Sequence, residues 1–261
     1  MQKLATKIVD KPWGKRGLDP RFGVDADRQV GEIWFEPPPG RDLDVMVKYL
    51  FTTERLSIQV HPDDEKARER GYPRGKDECW IVLDVDEEAE LAVGTAHELS
   101  PEELIEAARS GSIVNLMDWK RPSKGDFIYN PAGTVHALGP GLTVLEIQQA
   151  VDLTYRLFDY GRPRELHLAE AANVVDPKPH HHELDTRVDG GSKLLVDGPH
   201  FGVAWCAGEP PELPEVMRDV QLLPIDQPLG IVKPGECALI DEGAARTLNC
   251  SGTFVLAWST S

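Results

Sequence analysis

Four side chains in this sequence, Gln59, His61, Glu78 and His136, are of the kinds that hold a divalent metal ion. Gln59 and His61 lie two apart in Leu56-Ser57-Ile58-Gln59-Val60-His61-Pro62-Asp63-Asp64. On a strand they share one face, while Ile58 and Val60 take the other. Two polar groups on one face of an apolar strand either meet water on an outer surface or face a partner inside the protein, and a metal ion is one such partner. Glu78 opens the apolar run to Val85, and His136 follows the turn signal of Pro131 and Gly133 onto a returning strand. Together they offer two imidazoles, one carboxylate and one amide oxygen. An N/O set of this kind suits zinc and leaves a position open for water or substrate.

Two further groups carry chemistry. Glu146 comes ten residues after His136, across Leu138-Gly139-Pro140-Gly141. That segment is a tight-turn signal, and a hairpin there places Glu146 beside His136 as a proton carrier or a partner to a ligand. The alternative is a strand carboxylate facing water. In Asp152-Leu153-Thr154-Tyr155-Arg156, alternation sets Asp152, Thr154 and Arg156 on one face. An arginine there can stabilise developing negative charge, or form a structural pair with the aspartate. The run His180-His181-His182 invites a metal reading, but neighbours on an extended chain point opposite ways. It sits among prolines and glycines in 176–191 and reads as a solvated connector.

These residues need a scaffold of strands. Glycine and proline separate short apolar runs such as Val45–Phe51, Cys79–Val85, Leu142–Ile147, Phe201–Trp205 and Thr253–Trp258. That is the pattern of an all-β sandwich or barrel with a few helices. Ser100-Pro101-Glu102-Glu103 is a helix start with a capping box, and Gly111 is its stop. Asp63–Arg70 reads as a short charged helix, and Leu166–Val175 as another. A faint repeat joins Gly125, Pro131-x-Gly133-x-x-His136 to Gly235, Asp241-x-Gly243-x-x-Arg246. It predicts two related barrels, the second unable to bind metal because arginine replaces histidine.

The 261 residues suffice for one large domain or two small ones. No apolar run approaches the ~20 residues of a membrane-spanning helix, and the start has no signal-peptide stretch, so a cytoplasmic protein is expected. Cys79, Cys206, Cys237 and Cys250 have no C-x-x-C spacing and are expected to be reduced. A formal net charge of −16 makes nucleic acid and anionic membranes poor partners. A phosphorylated substrate would need a local cationic pocket.

Ser57-Ile58-Gln59-Val60-His61-Pro62-Asp63, Gly75-Lys76-Asp77-Glu78, Pro131-Ala132-Gly133-Thr134-Val135-His136 and Asp152-x-x-x-Arg156 resemble the type I mannose-6-phosphate isomerases. So do Lys11-Pro12-Trp13-Gly14, Gly31-Glu32-Ile33-Trp34, and the stretch from Tyr155 to Tyr160 followed by Pro163-Arg164-Glu165-Leu166-His167, which is closest to the short bacterial branch. The likeness covers roughly the first two-thirds of the chain. It implies a cupin (jelly-roll-like) barrel over 1–160 holding one zinc by Gln59, His61, Glu78 and His136. A helix and linker over 161–191 and a cupin-like domain without metal over 192–261 would follow. It maps an active-site arginine onto Arg156, a lysine onto Lys76 and a catalytic acidic residue onto Glu146, and gives Ser57, Lys76 and Arg156 as candidates to meet the phosphate. The implied reaction interconverts mannose 6-phosphate and fructose 6-phosphate through a cis-enediol. A non-catalytic sugar-sensing cupin, a cupin enzyme acting on another sugar phosphate and a redox-metal oxygenase are the competing readings; the intact ligand set disfavours the first.

Overall fold

The structure, a computed structural model, describes residues 1–260. Strands dominate, with a few short helices between them. The chain divides into two compact units, one made of Met1–Tyr49 with the stretch from Thr186 onward, the other of Leu50–Asp185. Strands β1 (Gln2–Lys3), β2 (Ala5–Lys15) and β3 (Val30–Glu36) open the first unit, and β4 (Val45–Phe51) follows. Next come β5 (Ile58–Val60), α1 (Asp64–Glu69), β6 (Glu78–Val85), β7 (Leu91–Thr95), α2 (Pro101–Ser110), β8 (Met117–Lys120), β9 (Asp126–Asn130), β10 (His136–Leu138), β11 (Leu142–Gln149), β12 (Tyr155–Phe158) and α3 (Leu168–Ala172). The last part holds β13 (Thr186–Arg187), β14 (Lys193–Asp197), β15 (Phe201–Ala207), β16 (Arg218–Pro224), β17 (Ala238–Ile240), α4 (Glu242–Arg246) and β18 (Thr253–Ser259). No helix is long and apolar enough to cross a membrane among the described residues.

In the second unit an antiparallel sheet runs β12-β5-β10-β7-β8. Ile58, Val60, Ala137, Tyr155 and Leu157 enter one buried core with Leu104, Ile105 and Ala108 of α2 and with Ile113. Alternation along each strand then assigns the intervening residues to the opposite face. Gln59, His136 and Arg156 are those residues, and the register places them side by side: Arg156 opposite Gln59, Gln59 opposite His136. A second antiparallel group has β6 between β9 and β11. There Glu78 lies between Asn130 and Gln148, and Trp80 lies between Ile128 and Glu146.

Local chemistry explains the elements. The Ser100 side chain accepts from the Glu103 backbone and the Glu103 side chain from that of Ser100, so both halves of the capping box form. Such a cap contributes about 1 kcal/mol. Asp63 caps α1 through Lys66 N. The expected helix over Leu166–Val175 is shorter, and its first residue follows His167 with no side-chain cap.

Three expectations meet different outcomes. The turn before Leu142 makes no hairpin: β10 pairs with β5 and β7, while β11 pairs with β6. Its glycines abut other backbones, Gly139 N donating to Glu90 O and Gly141 N to Thr52 O, so the turn carries the chain from one sheet to the other. The second half of the faint repeat also diverges. Gly235 keeps a positive φ, like Gly125, and each precedes a strand. Asp241 then caps α4, and Arg246 ends that helix, paired with Glu242 and donating to the carbonyls of Leu213, Pro214 and Glu215. Finally, the connector is not solvated along its length. Leu99 N and Thr95 N donate to Pro177 O and Lys178 O, and His180 is buried with Nε2 3.0 Å from Asp185 Oδ2. His181 stays exposed, so alternation separates the three histidines as expected.

The first unit carries the antiparallel sheet β1-β17-β16-β18-β15-β14, with β2 paired to β3. Phe254, Leu256, Trp258, Val220 and Leu222 form its core. Gly202, facing Trp258 in register, leaves the room that the indole fills.

Gly94 couples β7 to the 177–180 strap. Its φ is 75°, and a Cβ there would lie 2.6 Å from both His180 N and Lys178 O, backbone atoms that cannot swing aside. Gly94→Ala should therefore cost more than about 1 kcal/mol, read as a lower urea midpoint. An unchanged midpoint would mean that the strap parts from β7 at no cost.

Candidate metal centre

Ligand atoms from His61, Glu78 and His136 all lie within 4.8 Å of one another, and each residue is buried. The first sheet supplies His61, just after β5, and His136, the first residue of β10. Glu78, the first residue of β6, comes from the second strand group. His61 O accepts from Gly133 N, which ties the first histidine to the turn preceding the second. Glu78 Oε2 is 3.5 Å from His61 Nε2, and Oε1 is 3.2 Å from His136 Nε2.

Each imidazole is oriented by a main-chain carbonyl: Leu153 O is 2.9 Å from His61 Nδ1, and Thr134 O is 2.9 Å from His136 Nδ1. A carbonyl only accepts, so Nδ1 carries the hydrogen in both rings and Nε2 keeps its lone pair. Burial, with the nearby Lys76 charge, pushes His61 down to about 3. His136 is lowered as well, chiefly by burial. Burial works against the Glu78 charge, but the adjacent Lys76 ammonium holds its carboxyl well below the usual carboxylate range. The cluster is thus two neutral imidazoles with free Nε2 lone pairs and one carboxylate. That protonation state is the one a divalent metal requires, so the donor set fits such an ion.

The other expected residues surround this cluster. Gln59 is half-buried, with Nε2 3.2 Å from His136 Nε2 and Oε1 accepting from Ser57 Oγ at 3.0 Å. Turning the amide over would present its oxygen to the same point while Ser57 accepts. Lys76 is buried, with Nζ 2.8 Å from Glu78 Oε2, 3.2 Å from His61 Nε2 and 3.8 Å from Glu146 Oε1. Glu146 reaches the cluster through β6, not through a hairpin: its Oε2 accepts from Trp80 Nε1 at 3.2 Å, and the Trp80 ring meets the His136 ring edge-on at 5.5 Å. Arg156 stands beside Gln59 in the cross-strand row, and its buried Nε has no hydrogen-bond partner among the described residues. Asp152 is exposed and forms no ion pair with it among the described residues.

Three residues were not singled out by sequence reasoning. Trp80, two after Glu78, was legible from strand alternation. His167 holds the Arg156 backbone from both sides, accepting from Arg156 N through Nδ1 at 3.2 Å and donating its own N–H to Arg156 O at 2.8 Å. Asn130 donates from Nδ2 to Glu78 Oε1 at 2.7 Å. The last two depend on pairing across strands, which no local pattern announces.

No family model matches the chain. It is 33% identical over 254 residues to a probable mannose-6-phosphate isomerase of Bacillus subtilis, covering 90% of this chain and 77% of that protein. A putative mannose-6-phosphate isomerase of the same organism is 39% identical over 249 residues, covering 77% of each. Among solved structures, the mannose 6-phosphate isomerase from Bacillus subtilis superposes with a TM-score of 0.77 at 28% identity, covering 98% of both chains.

The neutral imidazoles set a pH dependence. In the unfolded chain a histidine takes up its proton near its ordinary 6.5, whereas folded His61 resists protonation to about 3. As pH falls between those values the unfolded state binds more protons and is favoured. Stability of the metal-free protein should therefore be full above about 6.5 and decline below it, by up to about 1.4 kcal/mol per pH unit for one such histidine. Denaturation midpoints across this range should fall less steeply for His61→Gln. Equal slopes would show that His61 is not held neutral.

Proposed function

The chain belongs to the mannose-6-phosphate isomerase family, and we propose that it interconverts mannose 6-phosphate and fructose 6-phosphate at the His61–Glu78–His136 cluster. The observation that carries this reading is the convergence of three buried ligand groups beside the row of Gln59 and Arg156. We assign one zinc ion per chain, held by Gln59, His61, Glu78 and His136. We also read the chain as two cupin-type barrels, a metal-binding one over 1–160 and, after a helix and linker over 161–191, a structural one over 192–261. Among the described residues, the groups able to hold a metal converge only at His61, Glu78 and His136.

Aldose–ketose isomerisation requires ring opening, removal of a proton from C2 of the aldose, and its return to C1 of the resulting cis-enediol. Bound zinc would polarise the carbonyl and hydroxyl oxygens of the sugar. The proton needs a carrier, and Glu146 and Lys76 are the two candidates, 3.8 Å apart. Trp80 Nε1–H holds the Glu146 carboxylate in place. Arg156 is placed to stabilise the negative charge of the enediolate, since its guanidinium keeps its charge and its backbone is clamped by His167. Ser57, Lys76 and Arg156 are the candidates to meet the phosphate. In a protein of net charge −16, Lys76 and Arg156 would supply the local positive potential this anion needs.

The direct test is assay of purified, metal-quantified protein on mannose 6-phosphate. Conversion in deuterated water should leave some deuterium at C1 of fructose 6-phosphate, because an abstracted proton exchanges with solvent and a transferred hydride does not. Turnover without label would refute the enediol route. Absence of turnover in zinc-loaded protein would refute the substrate assignment and favour another sugar phosphate or a sugar-binding role.

Single substitutions separate the roles. His61→Ala and His136→Ala should lose most of the bound metal. Arg156→Ala should keep its metal and fold while kcat and kcat/KM fall together, by about 100-fold or more, as for loss of a contact made only in the transition state. Near-normal turnover would make Arg156 structural. For Lys76→Ala, a rise in KM alone would mark phosphate binding, and a fall in kcat would mark the proton carrier.

A further inference from the structure

Asn130 is an unexpected residue for its position. It ends β9 and is 1% exposed. A buried amide costs free energy unless its groups find partners. Its Oδ1 has no hydrogen-bond partner among the described residues. The side chain's one polar contact is Nδ2 donating 2.7 Å to Glu78 Oε1. The orientation is chemically forced, since an ionised carboxylate only accepts and the NH2 group must therefore face it. Register makes the contact rigid: Asn130 lies directly opposite Glu78 across β6 and β9.

The other cross-strand neighbour behaves differently. Gln148 faces Glu78 from β11, but its Nε2 donates to the backbone carbonyls of Gln149 and Val151, not to the carboxylate. Glu78 is therefore held by a side-chain amide from one side only. We propose that Asn130 is a positioning residue for the metal centre, fixing the Glu78 carboxylate at Oε1 so that it is set in place before an ion arrives. The proposal rests on the cluster binding a divalent metal. It adds that the affinity depends on a residue that is not itself a ligand. A charge-assisted hydrogen bond of this length restricts rotation of the carboxylate, and loss of such a support typically lowers metal affinity 10–100-fold.

The test compares zinc dissociation constants by competition with a chromophoric chelator, and visible absorption of the cobalt-loaded proteins, for the full-length wild type, Asn130→Leu and Gln148→Leu. Leucine preserves much of either side chain's volume while removing its donors. Asn130→Leu should bind zinc at least 10-fold more weakly and alter the cobalt spectrum, with Gln148→Leu within about twofold of wild type. Should Asn130→Leu not fold, Asn130→Ser, whose hydroxyl is too short to span the gap, carries the same comparison. Wild-type affinity in the Asn130 variant would overturn the proposal. Equal weakening in both variants would also overturn it, since the effect would then be one of packing. A wild type that binds no metal would instead refute the metal reading on which the proposal stands.

Discussion

Everything around the His61–Glu78–His136 cluster depends on keeping the Glu78 carboxylate charged inside the protein. An ionised carboxylate taken out of water loses several kcal/mol of solvation, which only opposite charge and hydrogen bonds can offset. Glu78 is 1% exposed, and its surroundings answer that demand. Lys76 stands 2.8 Å away and Asn130 donates at 2.7 Å. A divalent ion would add the strongest compensation of all. The imidazoles are neutral chiefly because they are buried, with the Lys76 charge acting in the same direction, so they keep the lone pairs a metal binds.

The sheet does the sorting that makes such a site compatible with a stable core. Alternation sends Ile58, Val60, Ala137, Tyr155 and Leu157 to the side covered by α2, and Gln59, His136 and Arg156 to the other. One layer of backbone thus separates an apolar core from a polar cluster. Short strands suffice, since β5 and β10 contribute three residues each and still set the row. A slip of one residue in β5 would exchange Gln59 for Ile58 or Val60 in that row, so register decides whether polar or apolar side chains stand beside His136 and Arg156.

Much of this was legible in the sequence because it rests on local rules. Two-residue spacing placed Gln59 and His61, the capping box placed α2, and alternation parted the three adjacent histidines. What was not legible depends on which strands pair. Glu146 was expected beside His136 through a hairpin, but Gly139 and Gly141 press against the backbones of Glu90 and Thr52, and the chain changes sheets. Glu146 reaches the cluster only because β11 pairs with β6, which sets it opposite Trp80. Asn130 and His167 escaped notice for the same reason, their partners being 52 and 11 residues away. The repeat misled at its second half: a shared glycine frame sets a turn before a strand, but it does not decide whether a strand or a helix follows Asp241.

Candidate ligands drawn from two strand groups create a mechanical problem, because His61 and His136 move with β5 and β10 while Glu78 moves with β6. Relative sliding of an ångström would spoil a coordination shell whose bonds are near 2 Å. The links between the two groups are short and polar. Gly133 N holds His61 O, which binds the turn leading to His136 onto the end of β5. Lys76 N donates to Pro62 O, which ties the approach to β6 onto the residue after His61. Ala132 N donates to Asp77 Oδ1 while Tyr129 Oη donates to Asp77 Oδ2, so the residue before Glu78 is fastened to both arms of the turn at Pro131. His61 and Glu78 are therefore each within two residues of a hydrogen bond that spans the groups, and His136 stands three residues from Gly133, whose N–H makes one of them. The glycine at 133, with φ of 86°, closes this turn without the steric cost any side chain would incur. What the motif around Pro131 and Gly133 supplies is thus a fixed distance from His136 to His61 and Glu78, as well as the histidine itself.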